Sequence, residues 1–316
     1  MMARLPDTRG GTGRRPGHEE PPAARGRPEN LDPYSPGFEE CDQLRSAYVR
    51  TLTLRQIESP TGPDGHHSGS ARIPKRLVRY WHDPSDLPDD VRACLDSWDR
   101  LGDEGFEFHM FDDASAAAYI AATYDARESE AFARCRHPAM RCDYLRLCFM
   151  LVEGGLYVDA DDVLLGDGWK HLFENGRLKL QPLCYDTRTG RMVAASEIWR
   201  ADLAVDGCIF YVNNDPIAAP AGHPVLRRAL HRATDRLLGD DLLPEIQSTT
   251  GPGNLTAALS AHARQLETAG LPWDFELLRD WDAIAETRWH LSYRNDARNW
   301  RNMGASDSLK GGKTTS

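Results

Sequence analysis

The sequence predicts an α/β protein with a mostly parallel central sheet flanked by helices, on the basis of three observations. Strand-like and helix-like apolar patterns alternate along the chain from about residue 70 onward. Glycine, proline and aspartate lie between these segments, as expected for turns. The 316 residues are enough for one large domain or two small ones. Strands and helices that alternate in this order favour a mostly parallel sheet covered by helices.

The predicted elements begin as strand, helix, strand, helix. RLVRYW, residues 76–81, is the first strand, and residues 89–101 form a helix. FEFHMF, residues 106–111, alternates like a second strand. Asp113 is expected to cap the alanine-rich helix that follows.

Residues 139–152 are predicted to form a buried helix, because apolar residues occur nearly all round it. Gly154 and Gly155 end this helix, and LYVD after them is the third strand. Two charged residues in the helix, Asp143 and Arg146, are three positions apart and share one face. An ion pair at the surface edge of the helix is one interpretation. A buried pair kept for function is the other, since burying charges without a purpose is rarely favourable.

Carboxylates follow the third strand directly. Side chains alternate in a strand, so Tyr157, Asp159 and Asp161 start toward one side. Asp159, Asp161 and Asp162 repel one another unless a positive group lies among them. Mg²⁺ and Mn²⁺ prefer oxygen ligands and commonly bind one or two carboxylates together with substrate phosphates. Open α/β sheets bind ligands beyond the carboxyl ends of their strands, so Asp-x-Asp is well placed for a metal diphosphate. A solvated acidic loop or a helix N-cap is the alternative.

We divide the chain into three parts. Residues 1–70 are rich in Pro, Gly, Arg and Glu and are expected to form a largely disordered N-terminal extension, with a possible short helix at 43–57. Residues 71–302 form the folded domain, and residues 303–316 form a flexible tail. We see no apolar signal segment and no apolar run as long as a transmembrane segment, so we expect a cytoplasmic location.

The formal net charge of −10 argues against nucleic acid as a partner. The seven cysteines are scattered, odd in number and lack a CxxC pair, which fits reduced thiols in a cytosolic protein. Cys135, His137, Cys142 and Cys148 are close enough in sequence for a zinc site to be considered, but packing of small residues in a helix explains the last two more simply. The arginine- and alanine-rich, lysine-poor usage suggests a bacterial source of high genomic GC content.

The stretch CDYLRLCFMLVEGGLYVDADD, residues 142–162, resembles the signature of the DXD-containing, family 32-like glycosyltransferases. This family includes yeast-type initiating mannosyltransferases and the glucosylating domains of large clostridial toxins. In it, a helix with Asp-x-x-Arg leads into Gly-Gly-x-Tyr-x-Asp-x-Asp. The matching residues are Asp143, Arg146, Gly154, Gly155, Tyr157, Asp159 and Asp161.

Other segments agree with the family in order. IPKRLVRYW, residues 73–81, is similar to the opening strand, except that Val78 stands where a His is usual. TTGPGNLTAAL, residues 249–259, is similar to the family's Thr-Gly-Pro turn. The resemblance extends over about residues 72–302.

The resemblance implies a GT-A fold, that is, one Rossmann-like α/β domain that binds a nucleotide-sugar donor with Mn²⁺ or Mg²⁺ and transfers the sugar with retention of configuration. Trp81 would stack on the nucleotide base. Asp143 would hydrogen-bond the donor sugar, and Arg146 would contact the donor near its sugar and phosphate. Asp159 would touch the ribose and the metal, largely through water, and Asp161 would ligate the metal directly. Of these, Asp143, Arg146 and Asp161 are the expected catalytic residues.

Tyr157 of the motif and Trp300 near the C-terminus complete the implied donor site. The family's Ser-Trp pair reads Asn-Trp here, and family members place a metal-facing polar residue a few positions before that Trp. Asp296 is our choice for the third metal ligand, with Asn295 and His290 as alternatives.

The reaction that this implies develops negative charge on the leaving phosphate, which a divalent ion neutralises and an arginine stabilises. No covalent nucleophile is evident, so we expect front-face attack, in which the departing phosphate oxygen takes the acceptor proton. His223 is expected to begin a helix together with Pro224 rather than to act as a base. UDP-sugars and GDP-mannose fit as donors, and a saccharide, lipid-linked sugar, natural product, peptide or protein fits as acceptor.

Two other functions fit part of the pattern. A haloacid-dehalogenase-type phosphatase also carries Asp-x-Asp after a strand, but near the start of its domain and followed by Thr- or Ser-like residues. Here Asp161 is followed by Asp162 and Val163. A non-catalytic nucleotide-sugar or glycan-binding protein is the third possibility, although the intact motif argues against a decayed site.

Overall fold

The computed structural model describes residues 32–58, 72–240 and 245–296. The described helices are α1 (Asp42–Glu58), α2 (Asp89–Asp96), α3 (Asp113–Thr123), α4 (Ala126–Ala133), α5 (Pro138–Val152), α6 (Ala195–Ile198), α7 (Pro224–Leu238), α8 (Ile246–Thr249), α9 (Pro252–Ala269) and α10 (Trp281–Ile284). The strands are β1 (Arg76–Tyr80), β2 (Glu107–Phe111), β3 (Gly155–Tyr157), β4 (Asp162–Leu164), β5 (Leu178–Asp186), β6 (Arg191–Met192), β7 (Cys208–Ala219), β8 (Phe275–Leu277) and β9 (Ala285–Thr287). Short 3-10 helices occur at Phe38–Glu40, Pro84–Asp86, Asp99–Gly102, Gly168–Phe173 and Ser292–Asn295.

The central sheet has seven strands in the order β2-β1-β3-β7-β5-β6, and β8 pairs with β5 as well. Strands β1, β2 and β3 are parallel to one another, and β8 is parallel to β5. Strand β7 is antiparallel to both β3 and β5, so β5 and β8 run in the same direction as β1. Five of the seven strands therefore share one direction, and β6 and β7 oppose it. The predicted α/β class with a mostly parallel sheet flanked by helices is confirmed.

A second, two-stranded sheet pairs β4 with β9 in antiparallel fashion. Strand β4 follows β3 after a turn of only four residues. The second sheet thereby holds the far side of that turn, which contains the Asp-x-Asp sequence.

Most predicted elements lie where the sequence places them, but the cap of α3 is corrected. Asp112 is the N-cap, because its backbone is extended and its side chain accepts a hydrogen bond from the Ser115 amide at 2.7 Å. Asp113 is the first helical residue. Its carboxylate accepts hydrogen bonds from Arg141 Nε at 2.7 Å and from the Tyr80 hydroxyl.

Helix α5 is buried along most of its length, as its apolar sequence predicts. It begins at Pro138, which follows the N-cap His137, whose Nδ1 accepts from the Ala139 amide at 3.1 Å. Gly155, after the end of the helix, has a φ of 124°, and a Cβ there would lie 2.7 Å from the Arg76 carbonyl oxygen. This glycine therefore permits β3 to approach β1 closely.

Helix α1 confirms the short helix predicted at 43–57, and it corrects the domain boundary that we placed at residue 71. Its residues Tyr48, Val49 and Leu52 are buried in the main core. Arg50 of the same helix donates to the carbonyl oxygens of Ile198 and Arg200. Burial of these apolar side chains makes α1 part of the folded domain.

The remaining residues of 1–70 and all of 303–316 lie outside the described residues, so the prediction of disorder there is not addressed by the structure. None of the helices in the described ranges combines the length and the apolar character that a bilayer-spanning segment requires.

Candidate active site

The turn between β3 and β4 lies at the carboxyl ends of β1 and β3, which are parallel neighbours. The Asp162 amide donates to the Asp159 carbonyl oxygen at 3.2 Å and closes the turn. The Val158 amide donates to the Val78 carbonyl oxygen at 3.2 Å, so the strand pairing continues up to the turn. This is the edge at which open α/β sheets bind ligands.

Asp143 and Arg146 form a buried ion pair beneath this turn. Their side chains are 3.2 Å apart, and the two residues are only 7% and 3% exposed. Asp143 also accepts hydrogen bonds from Asn214 Nδ2 at 2.8 Å and from Thr250 Oγ1 at 3.1 Å. Burial raises the pKa of Asp143 to about 6, against the charge of Arg146, which lowers it. The surface-edge interpretation of the pair is therefore wrong.

Arg146 connects helix α5 to the acidic turn. Its guanidinium donates to Asp159 Oδ1 at 2.9 Å and to the Asn214 carbonyl oxygen, and lies 4.1 Å from the centre of the Tyr157 ring. The Tyr157 hydroxyl also donates to Asp159 Oδ1, at 2.7 Å. Both contacts use Oδ1 of Asp159, a side chain that is 36% exposed, and none of the described residues donates to Oδ2. The motif thus orients Asp159 with one oxygen still available.

Asp161 is held from the other side by the segment that follows β9. The Tyr293 hydroxyl donates to Asp161 Oδ2 at 2.5 Å, and Arg294 donates to the same oxygen. The Arg288 amide donates to the Asp161 backbone carbonyl at 2.9 Å. Burial and the neighbouring Asp159 raise the pKa of Asp161. As with Asp159, one carboxylate oxygen carries these contacts and the other does not.

Two further carboxylates lie behind the turn. Burial and the charge of Asp161 raise the pKa of Asp162 to about 7. No described residue donates to either carboxylate oxygen of Asp162 at normal hydrogen-bond geometry, although Thr287 and Asp215 are near enough to influence its pKa. Asp215 accepts from the Asp159 amide at 3.0 Å, and burial followed by the charge of Asp162 raises its pKa strongly.

The site therefore contains more carboxyl groups than cationic groups. The site has two guanidinium groups, those of Arg146 and Arg294. It has five carboxyl groups, those of Asp143, Asp159, Asp161, Asp162 and Asp215. A divalent cation would relieve this imbalance, and the free oxygens of Asp159 and Asp161 fit the hard, oxygen-preferring chemistry of Mg²⁺ or Mn²⁺. Among the described residues, no three acidic, His or Cys side chains form a ready-made metal site, so substrate phosphates would complete the ligand set.

Trp81 follows β1 and is buried at this edge. Its Nε1 donates to the Asp86 carbonyl oxygen at 3.1 Å, and its ring meets the Tyr293 ring edge to face at 5.2 Å. Tyr293 thus contacts both Trp81 and Asp161, which brings the implied base-binding and metal-binding residues together. Val78, at the position of the family's His, lies in the apolar core.

The C-terminal residues that we considered as third metal ligands lie at the surface. Asp296, Asn295 and His290 are exposed, and Tyr293 and Arg294 are the residues of that segment whose side chains bind Asp161. Trp300 lies outside the described residues.

His223 lies at the opposite end of the strands from the acidic turn, near the amino end of β3. Strand β7 ends opposite Gly155, the first residue of β3, and His223 follows that end. It is the N-cap of α7, as predicted, and its Nδ1 accepts from the Val225 amide at 3.3 Å. Its other ring nitrogen is 3.2 Å from the Asp274 carbonyl oxygen, so it serves helix α7 and its neighbours rather than the acidic turn.

The zinc site considered for Cys135, His137, Cys142 and Cys148 is not present in the part of the chain that the structure describes. Cys142 contacts the Tyr157 hydroxyl at 2.8 Å, Cys135 contacts the Ala131 carbonyl oxygen and His137 caps α5. Small-residue packing and capping account for these residues.

Sequence reasoning missed five groups of the site, namely those of Asn214, Asp215, Thr250, Tyr293 and Arg294. A signal for two of them exists. The polar run NND, residues 213–215, interrupts an otherwise apolar strand, and a charged residue in a buried strand indicates a specific partner. Arg294 carries no such signal, because arginine is common on surfaces.

Comparisons with known proteins agree with the resemblance. No family model matches the sequence. The chain is 27% identical over 208 residues to the initiation-specific alpha-1,6-mannosyltransferase of Schizosaccharomyces pombe, which corresponds to 60% of this chain and 48% of that protein. The chain thus spans about half the length of this curated relative.

Among solved structures, the chain aligns with one titled PaToxG Glycosyltransferase. The alignment covers 85% of this chain and 97% of the other at 15% identity, with a TM-score of 0.38, which is too low to identify a shared fold. The match to the mannosyltransferase supports the resemblance of this chain to family 32-like glycosyltransferases.

Proposed function

We propose that this protein is a metal-dependent, retaining glycosyltransferase that moves a sugar from a nucleoside-diphosphate donor to an acceptor hydroxyl. The observation that carries the proposal is the group of buried carboxylates at the carboxyl ends of β1 and β3, bound to Arg146 through Asp159. A site in which carboxyl groups outnumber cations, and in which carboxylate oxygens are free, suits a divalent cation together with a diphosphate. The match to a curated mannosyltransferase supports the same reaction class.

In this proposal Asp159 and Asp161 hold Mn²⁺ or Mg²⁺. The bound ion would neutralise the charge that develops on the leaving diphosphate. Arg146 keeps Asp159 in place and lowers the cost of its negative charge. Asp143 holds Arg146 and, once the donor is bound, accepts a hydrogen bond from the donor sugar.

The aromatic residues complete the donor site in this proposal. Trp81 offers a ring face to the base and Tyr157 fixes Asp159. Trp300 is the further donor-binding residue that the resemblance implies. Asp296 stays our proposed third ligand, although it is exposed beside Arg294 in the present arrangement.

In this proposal the transfer proceeds without a covalent intermediate. The acceptor hydroxyl oxygen forms a bond to the anomeric carbon as the bond from that carbon to the diphosphate oxygen breaks. The hydroxyl proton leaves with the departing phosphate oxygen. His223 takes no part, since it lies at the opposite end of the strands.

The test is release of nucleotide from a panel of donors, with GDP-mannose first because of the curated relative's description, followed by UDP-, TDP- and ADP-sugars. Each donor is incubated with Mn²⁺, Mg²⁺ or EDTA and with wild type, Asp161→Asn and the control Asp206→Asn, an exposed Asp remote in sequence from the motif. We expect release of one nucleotide that needs metal and Asp161 but not Asp206. Donor binding without any turnover in the presence of candidate acceptors would favour a binding protein instead. Failure to bind any nucleotide-sugar with metal would refute the proposal.

A further inference from the structure

A cavity of about 780 Å³ opens between the end of α1, helix α6 and the loop from β8 to α10. This volume is within the range of small-molecule sites in proteins. Its lining includes Trp199, His171, Arg279, Asp280 and Asp282. None of the donor-site or metal-site residues proposed above is among the lining residues that the structure describes, so this is a separate space.

The cavity lies at the same edge of the sheet as the acidic turn. Leu277, which lines the cavity at the end of β8, is paired with Leu180 of β5. Leu180 is paired in turn with Ile217 of β7, and Ile217 with Tyr157 at the end of β3. Leu277 and Tyr157 are therefore at the same level, three strand spacings apart, or about 14 Å across the sheet.

The wall of the cavity is also connected to the acidic turn along the chain. Helix α10, which contributes Asp282, leads directly into β9. In β9, Thr287 is paired with Asp162, and the next residue, Arg288, donates its amide to the Asp161 carbonyl oxygen at 2.9 Å. The wall of the cavity and the segment that contacts the acidic turn are therefore one continuous stretch of chain.

The charge of the lining selects the kind of ligand. The lining contains three carboxylates, those of Glu276, Asp280 and Asp282, and one guanidinium, that of Arg279. Because Lys179 and Arg177 neutralise Glu276, Asp280 and Asp282 supply the negative charge that a ligand would meet. This charge disfavours a phosphate or diphosphate, so the nucleotide part of a donor does not belong here. Carboxylates instead accept hydrogen bonds strongly from hydroxyl groups.

The three carboxylates differ in how many protein groups they bind. Glu276 is bound to Lys179 at 2.9 Å and to Arg177 at 2.6 Å. The side chain of Asp280, by contrast, is 58% exposed and approaches His171 at 3.5 Å. Asp282 accepts from Gln181 Nε2 at 2.9 Å through Oδ1 alone. Asp280 and Asp282 are therefore able to accept from ligand hydroxyls.

We propose that this cavity binds the acceptor, and that the acceptor is a neutral oligosaccharide whose far end rests against Asp280 and Asp282 while its reactive hydroxyl reaches the donor site. This inference rests on the proposed glycosyltransferase function and adds the class of acceptor and its subsite. The distance between cavity and acidic turn requires an acceptor longer than one sugar unit. The polyhydroxyl surface of such a ligand matches the acidic lining.

The experiment measures saccharide binding without donor, by saturation-transfer NMR and titration with a panel of neutral oligosaccharides built from mannose, glucose or N-acetylglucosamine. The variants are Asp280→Asn and Asp282→Asn, with Asp206→Asn as the matched control. The amide oxygen that Asp282→Asn introduces still accepts from Gln181, so the local fold is retained, and a melting curve checks this. Loss of one charged hydrogen bond predicts a rise in Kd of about tenfold in each cavity variant and no change in the control.

Two results of the binding titration would overturn the proposal, and a third would come from a competition experiment. One is that no saccharide of the panel binds to the wild type. The other is that the cavity variants bind the saccharide as tightly as the wild type does. A nucleoside diphosphate with Mn²⁺ is then added as a competitor, and we expect the saccharide to stay bound. Displacement of the saccharide would place it in the donor site and contradict the proposal. The nucleotide-release assay is run on the same variants, so that a failure of this subsite is distinguished from a failure of the transferase function.

Discussion

Arg146→Met tests the buried ion pair on which the candidate site is built. The guanidinium is almost fully buried and bridges Asp143 at 3.2 Å and Asp159 at 2.9 Å. Methionine preserves most of the side-chain volume, so the loss is mainly one of charge and hydrogen bonds. Asp143 is then left as a buried carboxylate without a counter-charge.

Removing one partner of a buried ion pair costs about 3–5 kcal/mol of folding free energy. For a domain of this size the melting temperature would fall by roughly 6–20 °C. Asp159 is partly exposed and loses less than Asp143, because water replaces its partner. Most of the destabilisation should therefore come from Asp143, and the double variant Asp143→Asn/Arg146→Met should recover a large part of it.

The assay is calorimetric or fluorescence-detected melting at neutral pH, with Arg127→Met as the control. Arg127 is 53% exposed in its ion pair with Asp235, and an exposed pair of this kind contributes less than about 1 kcal/mol. If Arg146→Met lowered the melting temperature no more than Arg127→Met does, the buried Asp143–Arg146 pair would contribute no more to stability than an exposed ion pair. If the double variant recovered no stability, the destabilisation of Arg146→Met would not come from the unpaired carboxylate of Asp143.

Three further predictions concern Arg294, Asp143 and His223. Arg294→Ala removes a cation from Asp161, so we expect tighter binding of Mn²⁺ by several-fold in a titration of the protein without donor, and unchanged or weaker binding would show that Arg294 does not compete with the metal. Burial raises the pKa of Asp143 from 3.8 to about 6, so the folded protein holds a proton that the unfolded chain has lost, and its stability falls as pH rises from about 4 to 6. The stability of Asp143→Asn relative to wild type should therefore increase over that range, by up to ~3 kcal/mol at 1.36 kcal/mol per pKa unit. Melting temperatures of the two proteins that change in parallel with pH would contradict the raised pKa. His223→Asn keeps a capping side chain, so transfer activity should stay within a few-fold of wild type with a small fall in melting temperature, whereas loss of activity by a hundredfold would make His223 a catalytic group.

The local sequence determined much of this protein's structure. Apolar periodicity identified the first strands and the buried helix α5, and the glycines after α5 marked its end. These features depend on residues close together in the chain, where helix and strand periods act directly. The same holds for the motif, since Asp143 and Arg146 share a helical face and Asp159 directly follows a strand.

The predicted Asp113 cap shows the limit of such local reasoning. Two neighbouring aspartates compete for the N-cap of α3, and the backbone conformation of Asp112 decides between them. Asp113 is drawn instead to Tyr80 and Arg141, which are distant in sequence from each other.

Tertiary structure alone decided which side chains complete the site. Asn214 and Thr250 reach Asp143 from 71 and 107 positions away, and Arg294 reaches Asp161 from 133 positions away. The pairing of β3 with β7 brings Asp215 under the turn, and the pairing of β4 with β9 brings the following segment over it. Hydrogen-bond partners of a buried charge are set by which strands become neighbours, and that choice depends on burial of the whole core rather than on any local pattern.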